Sequence, residues 1–146
     1  MVNKYILILI LILISDFANA EWIKVGTNTS YLGVGVDFYY DNSRIEILKP
    51  SVTKNGKTYL RVATLDNYHK PTNYYQLNRM VNSVVEFRLY DCTSTRTRID
   101  NIVLSSGKYD GGDKLADWEV DESRSPWDYP GSLQRNLFLD LKYLCK

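Results

Sequence analysis

The alternation of apolar and polar residues along the chain predicts a succession of β-strands. Residues 34–40 carry apolar or aromatic side chains at every second position, which is typical of a strand with one buried face. Residues 81–90 form the expected central strand, with Val85, Phe87 and Leu89 facing one way. Twelve tyrosines and many β-branched residues support this interpretation, because both residue classes favour strands. Further strands are expected at residues 22–25, 44–48, 57–66 and 96–104.

Turn-forming residues divide these strands. Asn55-Gly56 supplies the positive φ angles of a tight hairpin and predicts that the strands on its two sides pair. Residues 41–43 are expected to turn the chain, and residues 67–80, which contain Pro71, are expected to form a long loop. Residues 107–124 combine many charges with a Gly-Gly pair and are expected to be irregular.

The last segment of the chain has a helical pattern. Ser132 is a good N-cap, and the apolar residues after it recur at helical spacing. These residues are Leu133, Leu137, Leu141 and Leu144. A strand is the alternative, because residues 137–145 also alternate, but the cap and the length of the segment favour a helix.

The N-terminal segment has the pattern of a cleaved export signal. Lys4 supplies the positive charge, residues 5–14 are an unbroken apolar run, and Ala18-Asn19-Ala20 is a small-residue cleavage site. An uncleaved anchor is the alternative, although an apolar run of this length spans only about 15 Å as a helix, half of a bilayer core. We therefore expect a signal peptide at 1–20 and one domain at 21–146.

Export also bounds the location of the protein. We expect an exported protein, in the periplasm, secreted, or at the cell surface. Since no cysteine lies near the cleavage site, no lipid anchor is expected.

Composition and charge argue against several functional classes. The chain has 18 Lys and Arg against 17 Asp and Glu, and this balance gives no electrostatic basis for nucleic-acid binding. His69 is the only histidine, and no partner motif for nucleophilic catalysis accompanies it. A zinc site needs more histidine and cysteine ligands than this chain has. We expect no enzymatic activity, no metal and no cofactor.

Cys92 and Cys145 are the only cysteines of the chain. Cys92 follows the expected central strand, and Cys145 is the penultimate residue of the expected helix. An oxidising compartment favours a disulfide between them, and two buried free thiols are the alternative.

With no catalytic or metal site expected, the remaining candidates for function are surface side chains. Tyrosine and arginine are enriched at protein interfaces, and several of each are candidates here. The candidate interaction residues are Tyr68, Tyr74, Tyr75, Arg88, Arg96 and Arg98. The three arginines are expected to line one face as a basic strip. The alternatives are that the tyrosines pack in the sheet and that the arginines lie on its solvated side.

Several short motifs occur in a fixed order along the mature chain. The strongest runs from Glu86-Phe87 to Asp91-Cys92 and on to Arg96 and Arg98. Others are Glu21-Trp22, Tyr40-Asp41, Pro130-Gly131-Ser132 and Cys145-Lys146. In this order and spacing the chain resembles the surface-adhesin protein E family of exported bacterial proteins.

The resemblance implies both a fold and a role. The implied α+β fold is a single antiparallel sheet of about six strands, with a C-terminal α-helix packed on one face and tethered by a Cys92–Cys145 disulfide. The implied role is that of a non-enzymatic, adhesin-like module of a Gram-negative bacterium, whose partner is a host extracellular-matrix or serum protein. Independently of the resemblance, a homodimer is also allowed. The alternative is a soluble periplasmic module that inhibits a hydrolase or binds a small ligand, because fold does not fix function.

Overall fold

A computed structural model describes residues 21–30, 33–53, 55–74 and 76–146. Within these residues the chain forms one six-stranded antiparallel sheet in which each strand pairs with its neighbours in sequence. The strands are β1 (Trp22–Thr29), β2 (Gly35–Leu48), β3 (Tyr59–Tyr74), β4 (Arg79–Asp91), β5 (Thr97–Ser105) and β6 (Lys114–Glu119). The helix α1 (Ser132–Leu141) follows and continues into a 3-10 turn, Lys142–Cys145. The expected α+β fold is confirmed, while the expected signal peptide and Tyr75 lie outside the described residues.

The expected long loop at residues 67–80 is wrong, because this segment is the far end of the β3–β4 hairpin. Residues 72–74 pair with residues 79–81, after an irregularity between Asn67 and Thr72. Pro71 lies within that irregularity, where its missing N–H interrupts no ladder hydrogen bond. The tyrosines and threonine of this segment favour extended backbone, and this preference outweighs the turn signals.

Two further expectations about turns are corrected. The expected turn at residues 41–43 is a bulge inside β2, where the pairing with β3 shifts between Tyr40 and Ile45. The strands joined through Asn55-Gly56 do pair, and Gly56 has a φ of 68°, but the last pair is Leu48 with Tyr59. The connection is therefore longer than a two-residue turn.

β6 lies in the segment that was expected to be irregular. Trp118 pairs with Ile102, and both pack with Leu104. Asp117 and Glu119 alternate with these apolar residues and point to the opposite face. Despite its charges, β6 therefore packs one face against the sheet. The high number of charged residues in this segment obscures the alternation in its sequence.

The helix α1 packs on one face of the sheet, which we call the helix face. Its buried residues Leu137, Phe138 and Leu141 contact a cluster on β2, β3 and β4. The Phe138 ring stacks on the ring of Tyr90 with centroids 5.2 Å apart. On the helix face this cluster comprises Phe38, Leu60, Val62 and Tyr90.

The opposite face, which we call the open face, has a smaller apolar cluster. It consists of Tyr39, Leu65, Val85 and Val103, with Trp22 and Phe87 packed against it. No helix of the described residues is both long and apolar enough to span a bilayer.

The start of α1 differs from the expectation in one detail. Gly131 stands at the N-cap, Ser132 is the first helical residue, and no side chain in the described part of the chain caps the helix. The expected Ser132 cap is therefore wrong. Gly26 lets the helix approach β1 closely, since a Cβ at this position would lie 2.8 Å from a methyl group of Leu133.

The disulfide between Cys92 and Cys145 is confirmed. Cys92 directly follows β4 and Cys145 ends the 3-10 turn, with their Cα atoms 5.7 Å apart. The bond closes a loop of 53 residues, which contains β5, β6 and the helix. It therefore ties the C-terminal end of the helical segment to the centre of the sheet.

Replacing both cysteines, by Cys92→Ala with Cys145→Ala, should lower the free energy of unfolding by about 4 kcal/mol. This is the chain-entropy value for a closed loop of 53 residues. Urea unfolding of the variant and of the oxidised wild type measures the difference. Wild-type protein under reductant is the control and should unfold like the variant. Equal unfolding midpoints for the variant and the oxidised wild type would contradict the tethering role.

Candidate functional site

The structure divides the predicted surface residues between the two faces of the sheet. Arg88 alternates with Leu89 and lies on the helix face, where it is mostly buried beside Glu86. Arg98 pairs with Leu89 and lies on the open face. Arg88, Arg96 and Arg98 therefore do not form one basic strip. Tyr68 and Tyr74 border a cavity on the helix side.

Arginine side chains and aromatic rings alternate across the open face. The guanidinium carbon of Arg44 lies 4.9 Å from the centre of the Trp22 ring and 5.7 Å from that of Phe87. The guanidinium of Arg61 lies 4.3 Å from the same Phe87 ring. A cation within about 6 Å of a ring centre is attracted by the ring quadrupole. We call the whole set the arginine–aromatic ladder: Trp22, Arg44, Phe87, Arg61, Arg98, Trp127 and Tyr59.

Asp100 joins the two halves of the ladder. It accepts a hydrogen bond from Nε of Arg61 at 2.8 Å and lies 3.6 Å from Nη2 of Arg98. The Arg98 guanidinium lies 5.7 Å from the Trp127 ring, and that ring stacks on Tyr59 at 5.1 Å. The ladder therefore runs from β1 to the segment that precedes α1.

Two exposed residues extend the ladder at the end of the sheet where β4 turns into β5. The guanidinium of Arg96 lies 5.2 Å from the ring of Tyr129. Tyr129 is 64% exposed. Arg96 and Arg98 are thus the two predicted surface residues that belong to this side of the molecule.

Strand register explains why these side chains meet. Phe87 on β4 pairs with Ala63 on β3, whose small side chain leaves room for Arg61 of β3 and Arg44 of β2 to reach the Phe87 ring. The bulge in β2 sends Ile45 to the helix face, so Arg44 points to the open face. Sequence reasoning missed Trp22, Arg44, Phe87, Arg61 and Trp127, because their proximity follows from this pairing and from the bulge.

Asp41 holds the bulge in place. It is completely buried, and its carboxylate accepts hydrogen bonds from the Ser43 backbone N–H at 2.8 Å, from Ser43 Oγ at 2.6 Å and from Arg44 Nε at 2.5 Å. Burial acts to raise the pKa of Asp41, but the donors of Ser43 and Arg44 outweigh it and lower the pKa. Asp41 is therefore ionised and positions Arg44 between Trp22 and Phe87.

Every arginine of the ladder is paired, so the surface has ordered guanidinium groups but little net charge. Arg44 pairs with Asp41, Arg98 with Asp100, and Arg61 with both Asp100 and Glu46. The exposed fractions of the three arginine side chains are 35%, 16% and 24% for Arg44, Arg98 and Arg61. They are held in place yet remain accessible, which lowers the entropic cost of binding a partner.

Replacing Asp41 by Asn should lower the free energy of unfolding at pH 7 by about 2 kcal/mol. The buried acceptor loses its charge, and the cost is less than for a fully buried pair because Arg44 is partly exposed. The folded pKa lies below the unfolded value of about 3.9, so this stabilisation is complete above that pH and is lost as the pH falls through the folded pKa.

The difference in the free energy of unfolding between wild type and Asp41→Asn should therefore be smaller at pH 2 than at pH 5. Urea unfolding at the two pH values measures it. The control is Asp121→Asn at an exposed position, which should change stability by less than about 0.5 kcal/mol at pH 7. A gap that is independent of pH would show that the charge of Asp41 does not hold the bulge.

Comparison with known proteins supplies a family for this fold. The family model described as Surface-adhesin protein E matches residues 22–146. No curated protein and no solved structure matches the chain. Because the family match covers the six strands, the helix and both cysteines, the chain belongs to the surface-adhesin protein E family.

Proposed function

We propose that this domain is a non-enzymatic binding module that recognises a host extracellular-matrix or serum protein through the open face of its sheet. The observation that carries the proposal is the arginine–aromatic ladder. Tryptophan, tyrosine and arginine dominate the residues whose truncation weakens protein interfaces most. The family description, a surface adhesin, supports the same class of function.

The ladder has unused hydrogen-bonding capacity. A guanidinium group has five N–H donors, and Arg44 donates only its Nε–H to Asp41 within the described residues. Its remaining N–H groups are available to a carboxylate or carbonyl group of a partner. Trp22 and Phe87 lie on either side and supply apolar contact area at low entropic cost.

Binding to immobilised matrix and serum proteins tests the proposal, with surface plasmon resonance as the measurement. Arg44→Ala, and Arg96→Ala combined with Tyr129→Ala, should each raise the Kd of the bound protein at least about tenfold, or about 1.4 kcal/mol. The matched control is Arg135→Ala with Tyr143→Ala, because these residues are of the same types and exposed on the helical segment. Equal losses in the control and the open-face variants would contradict binding through the open face.

Tyr74, which borders the cavity on the helix side, is tested separately together with its neighbour in sequence, Tyr75. Tyr74→Ala with Tyr75→Ala should leave the Kd of the same partner within about twofold, because Tyr74 lies on the other side of the sheet from the ladder. A tenfold loss here, with unchanged binding of the open-face variants, would move the interface to the helix side.

We also propose that residues 1–20 direct export and are then removed. The pattern of Lys4, the apolar run and the small-residue site supports this, and so does the family description. The intact mass of the exported protein should correspond to a chain that begins at Glu21. Protease treatment of whole cells should degrade it if it is displayed at the surface, and osmotic shock should release it if it is periplasmic. A mass that includes residues 1–20 would contradict cleavage.

A further inference from the structure

A cavity of about 390 Å³ lies on the helix side of the sheet, away from the arginine–aromatic ladder. Strands β2, β3 and β4 form its floor, and the end of β1 and the first turn of α1 form its walls. This volume falls within the range of small-ligand sites. The cavity is separate from the open face, so an inference about it does not rest on the proposed function.

Asp66 is the unusual group in this cavity. It lies on β3 opposite Phe38, and no described residue donates a hydrogen bond to its carboxylate or forms an ion pair with it. Its acidic neighbour Glu86 is already paired, with Nη2 of Arg88 at 2.6 Å and Nε at 2.7 Å. Burial first, and then repulsion by Glu86, raises the pKa of Asp66 to about 7.

Asp66 is partly accessible at the wall of the cavity, and a carboxylate in this setting without a hydrogen-bond donor is costly unless something binds it. A cation is the most favourable partner, because a charge-assisted hydrogen bond would offset both the burial and the repulsion by Glu86. The absence of a donor for the Asp66 carboxylate at the cavity wall is therefore the first argument for a ligand.

The other lining residues restrict the shape of that ligand. Val36, Phe38, Val84 and Leu133 give one part of the cavity apolar surface that suits an aliphatic stem, and the rest of the described lining is mostly polar. Tyr68 and Tyr74 line the same space and add aromatic surface to it. An anionic head group is disfavoured, because Asp66 and Glu86 both line the cavity.

We infer that this cavity binds an aliphatic primary ammonium group, with the ammonium on the Asp66 carboxylate and the alkyl stem against Phe38 and Val84. The shared chemistry has two sources, a free alkylamine or the side chain of a lysine in a protein. The binding experiment distinguishes them.

Isothermal titration calorimetry at pH 8 with n-pentylamine tests the inference, and 1-pentanol is the neutral probe of the same length. Pentylamine should bind at least tenfold more tightly than pentanol, and Asp66→Asn should weaken pentylamine binding at least tenfold. The matched control is Asp117→Asn, which removes a carboxylate on the opposite face and should leave the affinity unchanged.

The blocked amino acid Nα-acetyl-lysine methylamide stands in for a lysine of a protein. Binding tighter than that of pentylamine assigns the site to a protein side chain, and weaker binding assigns it to a free amine. Equal affinity of pentylamine for wild type and Asp66→Asn, equal affinity for pentylamine and pentanol, or no binding of either amine would overturn the inference.

The stability of Asp66→Asn at pH 8 shows whether a loss of binding could come from misfolding. A raised folded pKa means that wild type loses stability as the pH rises from about 4 through 7, so the variant should be at least as stable as wild type at pH 8. Thermal unfolding at pH 8 checks this. Loss of binding by a folded, equally stable variant then reports on the carboxylate itself.

The pH dependence gives a second readout. The titratable groups that face Asp66 are Glu86 and Arg88 on β4 and the phenols of Tyr68 and Tyr74; the described lining residues from β1, β2 and α1 are uncharged. Pentylamine affinity should therefore fall at least tenfold between pH 8 and pH 5 in wild type, toward that of Asp66→Asn, and stay flat in Asp66→Asn. A wild-type affinity that is independent of pH over this range would count against Asp66 as the ammonium ligand.

Discussion

A sheet has two faces, and the described part of this chain has a single helix to cover them. The helix α1 takes one face through Leu137, Phe138 and Leu141, and the disulfide holds it there. The other face has to bury Leu65 and Val85 without a second layer. Trp22 and Phe87 pack against this cluster. Arg44 and Arg61 lie on the Phe87 ring, where their flat guanidinium groups and alkyl stems cover apolar surface while their charge stays in water.

The same residue type consequently has different environments on the two faces. Arg88, under the helix, is mostly buried and is committed to Glu86 beside the cavity. Arg61, on the open face, bridges Glu46 and Asp100 and lies against the Phe87 ring. Arg61 therefore belongs to a surface and Arg88 to an interior charge cluster. Because successive residues of a strand point to opposite faces, a shift of one residue in strand register would move an arginine from one environment to the other.

Much of the fold could be predicted from the sequence, because alternation and leucine spacing report burial directly. The strands at residues 81–90 and 96–104 and the C-terminal helix were predicted on this basis. β6 was missed because its charges dominate a short segment, and the end of the β3–β4 hairpin was missed because Pro71 signals a loop. The candidate surface was predicted only in part, at Arg96 and Arg98. The other residues of the candidate surface come together through strand pairing and through the β2 bulge held by Asp41, which cannot be recognised in a single sequence.

The disulfide lies at only one end of the helical segment. Cys145 is bonded, whereas the first turn is held by contacts such as that of Leu133 against Gly26. A helix that detaches from the sheet therefore stays at a high effective concentration next to its own docking site and returns to it without a search. The covalent bond therefore fixes the C-terminal end, and the end held by packing alone is the one that lines the cavity.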